Sequence, residues 1–255
     1  MNHLPEPDLI EHNLLQWLSA HTAPKHTDFE SRVVCLAEDA QWHKTPLTGV
    51  EVRIMEFVPG ARPRLAVQLR FHPGHTPVTL GQHPDLEILI QQGSLSSPTA
   101  EYANHGYFRL PSLKRENARN QSFQRADVIK SDEPAVLYAA IGQMRQTDTQ
   151  WRNIDTDDED NWFPGPVDGT DVLPLHGHGS GNVMLVRWNE TAAFKTRIDP
   201  SGEELLVLAG AVYDAQGYYP EGSWIRNPIV AWQAWGAKAG TVIYYKNGHF
   251  AHSGS

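Results

Sequence analysis

The sequence predicts an all-β protein made of two tandem copies of one small barrel unit, preceded by a short helix. Three observations carry this: an internal repeat of constant spacing, short apolar segments divided by turn residues, and little helical periodicity.

A repeated unit fixes the fold before any single motif does, so the repeat comes first. Leu69-Arg70-Phe71 matches Val186-Arg187-Trp188, Glu87-Ile88-Leu89-Ile90 with Gly93 matches Glu204-Leu205-Leu206-Val207 with Gly210, and Arg109-Leu110-Pro111 matches Arg226-Asn227-Pro228, all at an offset of 117. Upstream, Trp42, Pro46, Gly49 and Val52 match Trp162, Pro166, Gly169 and Val172 at an offset of 120, so one small indel separates the registers. Beyond the matched prolines, Val136-Leu137-Tyr138 aligns with Val242-Ile243-Tyr244 only if the first copy carries about 11 extra residues. These fall in the polar stretch 113–128, which reads as a long loop.

Residues 1–41 form an arm. Asp8 can cap a helix there, Glu11 completes a capping-box spacing, and Ile10, Leu14, Trp17 and Leu18 share one face, which predicts a flap packed on a barrel. Residues 42–145 are the first β domain and 162–255 the second, with strand-like runs such as Ala66-Val67-Gln68-Leu69 and Leu205-Leu206-Val207-Leu208 and a turn-rich segment at 217–222. Short strands at such spacing indicate a sandwich, barrel or jelly roll. Between the domains, 146–161 is an acidic linker whose run Asp155-Thr156-Asp157-Asp158-Glu159-Asp160 lacks the Gly and Glu spacing of a calcium loop.

The formal net charge of −9, from 21 basic and 30 acidic residues, opposes the phosphate-neutralising surface that nucleic-acid binding requires. Cys35 is the only cysteine, so no intramolecular disulfide and no all-cysteine zinc site can form, and no pattern around it activates the thiol. Residues Met1 to Pro7 lack a basic region followed by an apolar core, and no apolar run approaches the roughly 20 residues that span a bilayer. The expectation is a cytoplasmic protein with no membrane and no nucleic-acid partner.

The run Gly202-Glu203-Glu204-Leu205-Leu206-Val207-Leu208-Ala209-Gly210, followed by Tyr218-Tyr219-Pro220-Glu221-Gly222-Ser223-Trp224-Ile225-Arg226-Asn227-Pro228, resembles the ChrR-type cupins. The resemblance is strong over 162–247 and weaker over 42–145. It implies a bicupin: two tandem jelly-roll β-barrels. It also implies a zinc or iron ion held by two histidines one residue apart, a glutamate four residues later and a histidine on a following strand. The chemistry is sound, because imidazoles at i and i+2 of a strand face the same way and an N₃O set suits Zn or Fe.

The pattern is degenerate in this chain. Carried over from Gly210, it places Arg197 and Asp199 at the paired histidines, Glu203 at the carboxylate and Gln233 at the last histidine; the 117 offset gives Leu80, Gln82, Leu86 and Glu116 in the first copy. Only Glu203 is retained, and a guanidinium cannot ligate a metal. No cofactor is expected, and Arg197 is expected to pair with Asp199 or Glu203. Arg197, Asp199, Glu203, Gln233 and Trp224 are the ligand-pocket candidates. Should a metal bind, Asp199, Glu203 and Gln233 would hold it, with Mn, Fe or Zn as the alternative cofactor.

Other clusters read as structural. His72, His75 and His83 are expected on surface loops, as are His176 and His178 before the turn at 179–182. The repeated arginines, Arg70 with Arg187 and Arg109 with Arg226, point to rim salt bridges. Trp224, Trp232 and Trp235 could line a pocket, although strand aromatics more often pack a core.

Three functions follow: a small-molecule-binding or regulatory bicupin; a cupin dioxygenase or lyase with an altered centre in the second barrel; and, as a part-truth, a first copy that is scaffold. The anti-sigma members carry a separate amino-terminal zinc domain with His and Cys ligands, whereas residues 1–41 hold one cysteine, so contact with a sigma factor is not implied. A homodimer and the ligand's identity are left open.

Overall fold

The computed structural model describes residues 17–75, 78–80, 85–96, 101–102, 106–111, 127–129, 131–194, 197–199, 201–228 and 231–250. The chain forms two compact units, Met1–Thr27 with Gln41–Asp157, and Asp28–Ala40 with Asp158–Ser255.

In chain order the strands are β1 (Val33–Cys35), β2 (His43–Lys44), β3 (Val50–Val58), β4 (Arg64–Phe71), β5 (Val78–Leu80), β6 (Leu86–Gln92), β7 (Leu95–Ser96), β8 (Glu101–Tyr102), β9 (Tyr107–Leu110), β10 (Asp127–Ile129), β11 (Ala135–Ile141) and β12 (Arg152–Ile154). A 3-10 turn at Glu159–Asn161 leads to β13 (Phe163–Pro164), β14 (Thr170–His178), β15 (Gly181–Trp188), β16 (Ala192–Ala193), β17 (Arg197–Asp199), β18 (Glu203–Ala209), β19 (Ala211–Tyr213), β20 (Tyr218–Pro220), β21 (Trp224–Asn227), β22 (Ala231–Gln233), β23 (Gly236–Ala237) and β24 (Val242–Asn247). The all-β class read from the sequence is what the structure shows. Helical backbone at 17–21 is the part of the expected amino-terminal helix that falls within the described residues.

Each unit is organised by a seven-stranded sheet. Its order is β12-β9-β6-β11-β4-β3-β2 in the first and β1-β21-β18-β24-β15-β14-β13 in the second, the same repeat strands in the same places. Even the irregularities repeat, with a register shift between Ile54 and Glu56 against β4 and one between Pro174 and His176 against β15. Among the described residues neither sheet closes on itself. Gly93 and Gly210 end β6 and β18 with φ of 74° and 70°. A Cβ on Gly93 would sit 2.5 Å from the Pro134 carbonyl oxygen and one on Gly210 2.7 Å from Thr241 Oγ1, so both hairpin ends need the bare backbone.

Smaller sheets accompany the main ones: β5 with β10 and β7 with β8 in the first unit, β16-β23-β19-β20 and β17 with β22 in the second. The first unit's core is continuous and apolar, running from Val52, Val67, Leu69 and Phe71 through Leu86, Ile88 and Leu137 to Leu18 of the amino-terminal helix. In the second unit Val212 and Ala237 of the small sheet pack with Val186, Leu205 and Ile243 of the large one. Burial of such alternating strand faces is the main force holding each unit together.

The arm and the linker have a role that the offsets did not reveal. β1 precedes the first copy as β12 precedes the second, yet β1 pairs with β21 of the second unit and β12 with β9 of the first. The registers correspond: Val33 faces Arg226 and Cys35 faces Trp224, while Arg152 faces Arg109 and Ile154 faces Tyr107. Each copy's leading strand completes the sheet edge of the other copy. Residues 28–40 therefore belong with the second unit and 152–154 with the first.

The repeated arginines divide into two kinds. Arg70 lies 3.8 Å over the Trp42 ring beside Glu51, and Arg187 lies 4.4 Å over Trp162 between Asp171 and Glu159, so this pair forms half-exposed rim contacts. Arg109 and Arg226 are buried instead; Arg109 donates to Asp148 Oδ2 at 2.7 Å and Arg226 to the Asp28 carbonyl at 2.7 Å.

Candidate functional site

Strand alternation sends Glu203, Leu205 and Val207 of β18 to one face, and Glu204 and Leu206 to the other. The first face looks into a cavity of about 270 Å³ in the second unit. Its walls are apolar, from Met184, Val186, Leu205 and Ile243, with the rings of Trp188, Phe194, Trp235 and Tyr245 around them. Polar groups collect at one end.

That end is a single row crossing four neighbouring strands. Asn182 of β15 faces Asn247 of β24, Asn247 faces Glu203 of β18, and Glu203 faces Asn227 of β21. Asn182 is exposed, while Glu203 and Asn227 are buried at 3% and 0% accessibility, so the row runs from solvent inward. Asn182 donates its backbone N–H to Asn247 Oδ1 at 3.0 Å. Glu203 Oε1 accepts from Asn227 Nδ2 at 2.8 Å and from Trp235 Nε1 at 2.7 Å. Both donors converge on that one oxygen.

The segment 28–40 supports this arrangement. Arg32 donates to Asp214 Oδ2 at 2.6 Å and to the Tyr219 hydroxyl at 2.9 Å, and its guanidinium lies 5.8 Å from the centre of the Trp235 ring. Tyr219 meets Trp235 edge to face, and its hydroxyl is held above the usual phenol range by burial and by the Asp214 carboxylate that it donates to. Trp235 thus has a fixed ring from which to hold Glu203.

The residues expected at the site fare differently. Glu203 lines the cavity. Arg197, Asp199 and Gln233 lie on described backbone whose side chains are outside the description; Arg197 faces Gln233, and Asp199 faces Ala231, in the β17–β22 ladder. The described bonds of Glu203 are to neutral donors; the pair expected between Arg197 and Asp199 or Glu203 falls on a side chain outside the described residues. Trp224 is a correction: it is on the opposite face of β21 and donates its indole N–H to Glu204 Oε1 at 2.7 Å, away from the cavity.

In the first unit Leu86 is buried in the apolar core, and the backbone of Leu80 pairs with Asp127. The ladder therefore gives Asp127, not Glu116, as the counterpart of Gln233: the insertion before β10 shifts the register, and the 117 offset does not survive it. Gln82 and Glu116 lie outside the described residues, as does His83. Two other histidine readings are corrected. His75 is buried, accepting from the Ser131 N–H at 3.0 Å, and His176 and His178 end strand β14.

Sequence reasoning missed Asn182, Asn227, Asn247 and the part played by Trp235. The signal was available in the repeat, since the first copy has Leu65, Leu110 and Ile141 at the three asparagine positions.

The donors that the cavity offers are one carboxylate, carboxamides and a phenol; among the described residues no imidazole lines it. A His₃Glu ligand set for zinc or iron does not fit these residues. Among the described residues, no three His, Cys, Asp or Glu side chains are grouped as metal ligands, and no helix is long and apolar enough to cross a membrane.

A large and a small sheet enclosing a lined cavity place the chain among the cupin-fold proteins. Residues 150–251 match the family described as ChrR Cupin-like domain. Among solved structures, the chain is similar to a candidate dioxygenase from Nostoc punctiforme PCC 73102, with TM-score 0.64, 11% identity, and 87% of this chain and 84% of that one covered. It is similar also to the bacterial pirin YhhW of Escherichia coli in complex with nickel(II), with TM-score 0.56, 11% identity and coverage of 85% and 98%. A cupin 2 conserved barrel domain protein from Leptotrichia buccalis matches with TM-score 0.53, 7% identity and coverage of 88% and 99%. At such identities the likeness is one of fold. Comparison with curated protein sequences finds no match.

Proposed function

We propose that the protein is a ChrR-like bicupin, two jelly-roll barrels in tandem, that binds a small molecule in its second barrel as a binding or regulatory protein without the usual His-liganded metal. The observation that carries this is the polar row Asn182, Asn247 and Glu203, with Asn227 bonded behind Glu203, at one end of an otherwise apolar cavity. A mostly apolar pocket with a few convergent polar groups is the usual form of a small-molecule site. The first barrel is read as scaffold, and the cytoplasm as the setting, since a lone cysteine suits a reducing compartment.

Metal analysis of protein purified without a histidine tag tests the reading. The expected result is far less than one zinc or iron per chain; stoichiometric metal together with oxygen consumption on a diketone would overturn it.

A second reading is a metal-dependent dioxygenase or lyase with an altered centre. It is favoured by the β17–β22 ladder, which places Arg197 opposite Gln233 with Asp199 two residues along the same strand. Asp199, Glu203 and Gln233 would supply oxygen ligands, better suited to manganese than to zinc or iron. In that case Glu203→Ala abolishes both metal uptake and turnover, and unchanged values for both would remove this reading.

A further inference from the structure

We infer that Arg32, which stands just before β1, is a positioning residue of the second barrel's site: it sets the ring of Trp235, and through that ring the affinity for what fills the cavity. The inference rests on the cavity reading above and adds the residue that tunes it. Trp235 is buried and lines the cavity, and its carbonyl accepts from the N–H of a second wall residue, Phe194, at 2.7 Å. With the backbone tied, its part in the site depends on where the ring lies. The indole N–H donates to Glu203 Oε1 at 2.7 Å. The guanidinium of Arg32 lies 5.8 Å from the centre of the Trp235 ring and 5.4 Å from that of Tyr219, two rings that meet at 69° with centroids 6.2 Å apart. A planar cation set against two rings is attracted to both and fills the angle between them.

The guanidinium is itself fixed. Asp214 Oδ1 accepts from the Gln216 and Gly217 N–H groups at 2.8 and 3.0 Å and from the Tyr219 hydroxyl at 2.9 Å, while its Oδ2 meets Arg32 Nη2 at 2.6 Å. Contacts therefore run unbroken from the turn between β19 and β20 through Asp214 and Arg32 to Trp235 and the cavity. A wall held in place beforehand spares a ligand the cost of ordering it, whereas a ring free to turn must be ordered on binding. The two copies point the same way. Val33 faces Arg226 as Arg152 faces Arg109, so the position of Arg32 corresponds to that of Trp151. Arg32 has a side chain only 13% exposed in the unit that holds the cavity; in the first unit, where Leu86 stands in place of Glu203, the same position carries a tryptophan that is 40% exposed.

Two readouts on the full chain at pH 7 test this. One is calorimetric titration with p-cresol, a neutral single ring small enough for a space of about 270 Å³. The other is solvent exchange of the Trp235 indole N–H, followed by magnetic resonance on isotope-labelled tryptophan, with Trp224 as internal reference because its indole donates to Glu204 on the opposite face of the sheet. Arg32→Met keeps the stem and removes the fork; it is expected to weaken p-cresol about tenfold and to speed Trp235 exchange by about tenfold, with Trp224 unmoved. Arg32→Lys, which keeps a charge beside Asp214 but not the planar fork, should fall between native and Arg32→Met, and it carries the test if the latter does not fold. Val33→Ala thins the same segment without touching these rings and is expected to lower the melting temperature while leaving p-cresol within about twofold. Equal losses of affinity in Arg32→Met and Val33→Ala, Arg32 variants that bind as the native chain does, or Trp224 exchange rising with that of Trp235 would overturn the positioning role and leave the cavity reading intact. Absence of p-cresol binding by the native chain would overturn both.

Discussion

The first and second units share strand order, register and bulge position, and differ along one transverse row. In the second unit the row reads Asn182, Asn247, Glu203 and Asn227; in the first the same four ladder positions are Leu65, Ile141, Leu86 and Leu110. A fifth exchange deepens the contrast, since Tyr245 of the cavity wall stands where the first unit has Ala139. The described core of the first unit is apolar, and the second unit holds a cavity with a polar end. The backbone ladder and the alternation of faces are enough to specify the fold in both. The chemistry is confined to the few inward positions that the ladder leaves free to vary.

The largest effect is expected from breaking the exchange of leading strands. The second unit produced alone as residues 158–255 lacks β1, which exposes the edge of β21, and lacks Arg32, which leaves Asp214 without its cation. Such a fragment is expected to give no cooperative thermal transition, and fusion of residues 28–40 to its amino terminus is expected to restore one. A fragment that melts as sharply as the full chain without that segment would show that the exchanged strand is incidental.

Next come swaps along the polar row. Leu86→Glu puts a carboxylate into a core with no donor built for it and is expected to cost about 3–5 kcal/mol in urea unfolding. Glu203→Leu removes a buried charge and adds apolar contact, but leaves the Asn227 amide and the Trp235 indole without their acceptor, at about 1–3 kcal/mol for each group. The expected result is that Leu86→Glu is the more damaging change. Glu203→Leu with Asn227→Leu, which imports the first unit's Leu86 and Leu110 pair, should recover part of the loss. A Glu203→Leu protein as stable as the native chain would mean that the donors around Glu203 do not matter.

Much of the fold was legible because the repeat preserves spacing: Gly93 and Gly210, Arg70 and Arg187, and Trp42 and Trp162 all take equivalent places. Glu203 was legible for the same reason, being fixed by its distance from Gly210. What the offsets could not carry was any relation that leaves one copy for the other, and so β1 and β12 read as arm and linker. Nor could they pass an insertion, which is why Glu116 was paired with Gln233 where the ladder has Asp127. Trp224 failed differently: an aromatic on a pocket strand has even odds of facing away, and it shares the face of Glu204.

The smallest effect concerns the rim, where the two copies make the same contact with different partners. Arg187 is shared between Asp171 and Glu159, while Arg70 pairs with Glu51, which also meets His72. Asp171 is held below the usual carboxylate range by the Asn189 amide and then by Arg187; Glu159 is lowered by Arg187, and Glu51 by His72 and then by Arg70. A carboxylate lowered in the folded state contributes stability above its unfolded pKa of roughly 4, and that contribution is lost as pH falls through the folded value. Arg187→Ala is therefore expected to lower the melting temperature by about 1–2 °C near pH 7, with the gap closing towards pH 3 as Asp171 and Glu159 take up protons. Arg70→Ala should behave alike but retain more of its acid sensitivity, because His72 still holds Glu51. If the Arg187→Ala gap persisted unchanged at pH 3, stacking on Trp162 would be its source in place of the carboxylates.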